Sequence, residues 1–311
     1  MLDLSTTLIL TIAATFFAAG IVKGITGMGL PTLAMGVLGS LISPLAAASL
    51  LLVPSFTTNV WQMIAGPNSV ALVRRLWPMM LAIIVGTMLG VSWLTKGDTT
   101  ITTGTLGVCL SLYAAFTLLA HPFKIPQKLE IWLSPVVGAI TGFIAGATGV
   151  FVIPAVPYLQ ALGLEKDDLI QALGLSFTIS TIALALGLGV QGALVFDQLA
   201  ISTMAIVPAL AGMWAGQIIR KQISPVMFKR GFLICLLLLG LEMTLRPFFL
   251  DYERRADAGL RRSVINAGTS ETTAATAIKP VASQTSLIAN STGILTAVVA
   301  VSHDVMARAA A

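Results

Sequence analysis

One lysine, several glycines and a proline interrupt an otherwise apolar stretch, AAGIVKGITGMGLPTLAMG, at residues 18–36. Lys23 supplies a fixed positive charge, Gly24, Gly27 and Gly29 would let a ligand approach the main chain, and Pro31 suits the first turn of a helix that resumes after a break. A helix broken inside a bilayer frees backbone N–H groups, and the start of the resumed helix carries partial positive charge. Such a break binds anions. Thr26 adds a hydroxyl donor. A second stretch, AGATGVFVIP at 145–154, repeats the pattern with Gly146, Thr148, Gly149 and Pro154, but has Ala145 where the first has Lys23. One cation and two half-helix ends facing each other head-on suit a small anion better than a cation or a sugar. The plainer reading of Lys23 is a side chain snorkelling to the membrane surface.

Ser49 and Ser176 occupy near-matching places in two later apolar segments and are candidates to line the same site, although hydroxyls bonded back to their own helix read the same way. Asn59, Gln62 and Gln171 read as interhelical hydrogen bonds or interfacial residues, and Glu242 with Arg246 as an i,i+4 pair rather than a proton-coupling carboxylate. An enzyme finds little support. GLSF at 174–177 holds a serine, but the two histidines, His121 and His303, lie in a hinge and in the tail, and no phosphate loop, HExxH or Cys/His cluster is present. No cofactor or metal is implied.

These residues must be held by membrane helices. Of 311 residues, 56% are hydrophobic and 10% charged, and the mean hydropathy is +0.93, far from the balance of a soluble domain. Apolar runs of about 20 residues match a helix crossing a hydrocarbon core of about 30 Å, and alternating strand patterns are missing. The fold expected is an all-α integral membrane protein. Apolar segments fall near 5–24, 30–43, 45–64, 77–95 and 99–120, then, after a polar hinge at 121–130, near 131–149, 150–163, 168–190, 198–218 and 231–250. Residues 1–23 lack a basic leader and read as the first segment rather than a signal peptide. The domains are therefore 1–120, a central loop 121–130, 131–250, and an Ala/Ser/Thr-rich tail at 251–311 that reads as disordered.

The two sets of five segments superpose in sequence at an offset of about 126 residues: GTMLG (86–90) meets GMWAG (212–216), Gly66 meets Gly192 and Cys109 meets Cys235. Near the breaks the offset is about 122. An odd number of segments per half inverts the second half, and the loop charges swap sides accordingly. Arg74, Arg75, Lys124, Lys128, Lys166, Arg220, Lys221, Lys229 and Arg230 fall on one face, expected to be cytoplasmic, and Lys96 on the other. Arg246, Arg254, Arg255, Arg261 and Arg262 run against this count, which leaves the side of the termini open. The +5 net charge thus reads as an orientation signal, not a nucleic-acid surface.

Short, Gly/Pro-interrupted segments at equivalent places, here 30–43 and 150–163, point to a transport site. The break G-x-x-K-G-x-T-G-x-G-x-P, its repeat, and the Ala/Ser-rich segment after it (SPLAAASLLLVPSFTTN at 43–59, against LIQALGLSFTIST at 169–181) resemble the TauE/SafE family of sulfite exporter-like permeases, also called TSUP, over about residues 5–250. That resemblance implies a secondary carrier in a bacterial inner membrane for small anions such as sulfite, organosulfonates or short carboxylates. The partners implied are lipid, the anion and a coupling ion, with the proton one candidate; a homo-oligomer stays open. The competing readings are an anion channel and a non-catalytic subunit of another complex.

Overall fold

The computed structural model describes residues 6–119, 124–194 and 196–267, and they form helices joined by short turns. These are α1 (Thr6–Thr26), α2 (Leu30–Leu41), α3 (Pro44–Ile64), α4 (Ser69–Lys96), α5 (Thr99–Leu119), α6 (Gln127–Thr148), α7 (Ala155–Ala161), α8 (Lys166–Val190), α9 (Phe196–Met204), α10 (Ile206–Ile219) and α11 (Pro225–Ala267). Six stretches among the described residues are long and apolar enough to cross a membrane: Thr6–Thr26, Ser69–Lys96, Thr99–Leu119, Lys128–Thr148, Lys166–Val190 and Gln198–Ile219. The helical form follows from the solvent, because lipid offers no partner to a free amide.

The element order matches the apolar segments closely, with three differences. Helix α4 begins at Ser69, so Arg74 and Arg75 lie on its first turns and not in a loop. The ninth segment is two helices meeting at Ala205. Helix α11 runs on to Ala267, past the expected start of the disordered tail at 251: ERRADAGLRR is rich in good helix formers, and extending a formed helix needs no new nucleus. His121 and the tail from 268 lie outside the described residues.

Four helix pairs organise the bundle: α1 with α10, α4 with α6, α3 with α8, and α5 with α11. Glycines without room for a Cβ set the first two. Gly20 and Gly24 of α1 face the α10 backbone at Ala209 and Met213, and Gly212 and Gly216 face that of α1 at Phe17 and Ile21. In the same way Gly138, Gly142 and Gly146 of α6 face Met79, Ile83 and Thr87 of α4. Without a hydrophobic force between helices in lipid, such close backbone approach supplies the dispersion energy of association. Both pairs run parallel.

Bonds between helices define the two ends of the bundle. At one, Gln62 of α3 donates to Gly27 O (2.9 Å) and Ile170 O (2.8 Å), Gln171 of α8 donates to Met63 O (2.8 Å) and accepts from Asn68 N–H (3.0 Å), and Arg75 of α4 grips Glu130 of α6 through two 2.7 Å bonds. Lys128, Lys166, Arg220 and Lys221 belong to this end, at the starts of α6 and α8 and the end of α10. The far end holds Lys96 at the close of α4, and Arg246, which donates to Ser40 O at 3.0 Å and lies in ionic contact with Glu242. Trp61, Trp77, Trp93 and Trp132 are exposed to the surroundings, as interfacial tryptophans are.

Two local details carry predictions. Pro54 inside α3 has no N–H for Leu50 O, and the Ser202 hydroxyl of α9 fills that gap, donating to Leu50 O (2.8 Å) and accepting from Val53 N–H (3.1 Å). Ser202→Ala takes from the buried Leu50 carbonyl the donor that replaces the missing proline N–H and is expected to lower stability by about 1–3 kcal/mol, read as a lower melting temperature in detergent. In the α4–α5 turn, Asp98 accepts from Thr100 N–H (2.7 Å) and Ile101 N–H (3.4 Å), which hold its carboxyl below the usual carboxylate range. A depressed pKa stabilises the fold above the unfolded-state pKa and is lost as pH falls through the folded one. Asp98→Ala is therefore expected to melt earlier than the parent at neutral pH, with the gap closing in acid.

Candidate functional site

The two breaks have the same construction. At each, the helix ends on a glycine in the left-handed region, Gly27 (φ 78°) after α1 and Gly149 (φ 72°) after α6, where a side chain would be strained. The preceding threonine closes the turn: the Thr26 hydroxyl lies 2.8 Å from Val22 O and accepts from Met28 N–H at 3.2 Å, and that of Thr148 donates to Ile144 O (2.7 Å) and accepts from Val150 N–H (3.2 Å). Both hydroxyls are thus engaged by their own backbone, leaving Thr26 and Thr148 no hydrogen directed at a ligand. Gly24 and Gly146 sit inside α1 and α6, where helix packing accounts for their missing side chains. Gly29 is the N-cap of α2, with Pro31 in its first turn, and Pro154 precedes α7.

The breaks do not face each other head-on. Gly27 lies beside Gln62, near the end of α3, whereas Gly149 lies beside Ala48, near its start; those two positions are about 21 Å apart at 1.5 Å per residue. After Gly27 the chain reverses, so that α1 and α2 form a hairpin. Phe232, Leu239 and Met243 of α11 pass alongside Gly29, Gly36 and Gly39 in turn. The expectation of opposed half-helix ends is corrected accordingly.

Between the breaks, α3 crosses α8 and a polar cluster sits at the crossing. Lys23 is 3% exposed, so it does not snorkel to the surface. Its ammonium donates to Thr58 Oγ1 at 3.1 Å and to Asn59 Oδ1. The Asn59 amide nitrogen donates to Ser55 Oγ (3.0 Å) and lies 3.5 Å from Thr181 Oγ1 of α8, and Ser55 and Thr181 are 3.4 Å apart. Among the described residues the other buried ionised side chain is Glu130, which is held by Arg75. Lys23 is therefore a buried amine faced by neutral oxygens, with no carboxylate partner to offset a charge on it. Such an arrangement is costly in a membrane unless a ligand completes it.

Of the remaining candidates, Ser49 bonds back to Leu45 O (3.1 Å) on its own helix. Ser176 is fully buried and its hydroxyl has no partner. Sequence reasoning singled out Lys23 and noticed Asn59, but it passed over Ser55, Thr58 and Thr181. The signal was present: Ser55, Thr58, Asn59 and Gln62 recur at i, i+3, i+4 and i+7, which is one polar stripe on an apolar helix.

A family model described as "Sulfite exporter TauE/SafE" matches residues 12–243, from α1 to well within α11. No curated protein and no solved structure matches the chain.

Proposed function

The chain belongs to the sulfite exporter TauE/SafE family of membrane permeases, and from that premise we propose that it is a secondary carrier of small anions, working by alternating access between two inverted halves. The observation that carries this reading is Lys23, a lone cation inside the bundle held by Thr58 and Asn59. Its substrates are sulfite, organosulfonates or short carboxylates, groups whose charged oxygens match an ammonium. The two breaks and the packing pairs support the inverted halves: α1 with α10 answers α6 with α4, while α3 with α8 and α5 with α11 answer themselves. The end bearing Arg74, Arg75 and Lys166 faces the cytoplasm of an inner membrane, and a gradient ion, of which the proton is one candidate, drives the cycle.

A carrier and a channel differ in one respect: a carrier's empty site must return before it reloads. Proteoliposomes preloaded with unlabelled sulfite or methanesulfonate are expected to take up the labelled anion faster than empty ones. Uptake indifferent to the inner anion favours a channel, and no anion uptake at all removes the reading.

A further inference from the structure

The group that faces Lys23 most closely is a carboxamide, not a carboxylate. Asn59 is fully buried, and its orientation is fixed from the far side: the amide nitrogen donates to Ser55 Oγ at 3.0 Å and points at Thr181 Oγ1, which turns the oxygen toward the ammonium. Thr58 adds a second neutral oxygen, and its own hydrogen has acceptors in Pro54 O at 2.8 Å and Ser55 O at 3.2 Å. Both partners are neutral, so neither cancels the charge of an ammonium held there. An aspartate, nearly the same shape as asparagine, would have cancelled it.

A site holding one uncompensated positive charge in a low-dielectric bundle becomes neutral when it takes one negative charge. A second would be left unpaired, without the hydration it has in water. Resting on the carrier reading above, we propose that the Lys23–Asn59 pair makes this a site for monoanions, such as hydrogensulfite and sulfonates with a single charge, and selects against dianions of the same shape. Asn59 is a positioning residue here: it holds the ammonium in place and keeps its charge available.

Methanesulfonate and sulfate are both tetrahedral and similar in size, but differ by one unit of charge. Binding of each sodium salt to the purified full chain, at matched ionic strength and followed by calorimetry and anion-dependent melting, is expected to give methanesulfonate a Kd at least about tenfold lower, a difference of about 1.4 kcal/mol. Asn59→Asp is expected to keep or raise the melting temperature without anion and to weaken methanesulfonate at least about tenfold. Asn59→Ala, which adds no charge, is expected to keep the preference for the monoanion. Sulfate binding as tightly as methanesulfonate, or Asn59→Asp binding methanesulfonate like the parent, overturns the proposal while leaving the carrier reading standing. Should Asn59→Asp fail to fold, the two anions on the parent still decide. If the parent binds neither of these nor sulfite nor acetate, the carrier reading itself falls.

Discussion

Lys23→Gln is expected to remove anion flux in proteoliposomes while leaving the protein as stable as the parent, or more so. The two effects have one cause. The ammonium is buried with only Thr58 and Asn59 as partners, so deleting its charge relieves a desolvation cost that no carboxylate offsets. The same deletion withdraws the charged donor from the anion. Truncating one side of a buried, hydrogen-bonded charge pair costs about 2–5 kcal/mol, or at least about thirtyfold in affinity. Flux measured beside melting temperature separates this from ordinary damage, in which both fall together. Unchanged flux in the variant would return Lys23 to a structural role.

Gly142→Leu is expected to be the most damaging single change to the fold. A Cβ on Gly142 would run into the carbonyl of Ile83 on α4, and backbone atoms cannot swing aside as a side chain tip can. The helices must separate, which forfeits the close contact along α4 and α6, so the expected loss is at least about 3 kcal/mol. Gly212→Leu meets Phe17 O across α1 and α10 in the same way. Gly104 is the control, because a Cβ there has nothing within 4 Å; Gly104→Ala should melt like the parent. Thermal unfolding in detergent, followed by fluorescence-detected gel filtration, reads all three.

GTMLG at 86–90 and GMWAG at 212–216 were aligned in sequence, and each proves to be where one helix lies against another helix's backbone, α4 on α6 and α10 on α1. The helical membrane class and the positions of the breaks were legible because hydrophobic length, glycine and proline act locally, but the ten expected segments yield six stretches long and apolar enough to span among the described residues. The direction taken after Gly27 was not, since a left-handed glycine permits a reversal as readily as a kink. Gly24 and Gly146 lie against the α10 and α4 backbones, a role the sequence does not separate from ligand access. A glycine that admits a ligand and one that admits a helix look alike in a sequence, and only the neighbour, Met213 or Thr87, tells them apart. The partners of Lys23 were hidden because they come from α3, distant in the chain, and serine, threonine and asparagine on a membrane helix commonly do no more than bond to their own backbone.

The central claim is that a small anion binds inside the bundle against the Lys23 ammonium. Diffraction from crystals grown with a bromine-substituted methanesulfonate would locate the ligand by its anomalous signal. The account predicts a sulfonate oxygen within about 4 Å of Lys23 Nζ, the range of an ion pair, with Asn59 still turned toward the lysine. A ligand found elsewhere in the bundle, or only on its surface with Lys23 bonded as before to Thr58 and Asn59, would contradict it.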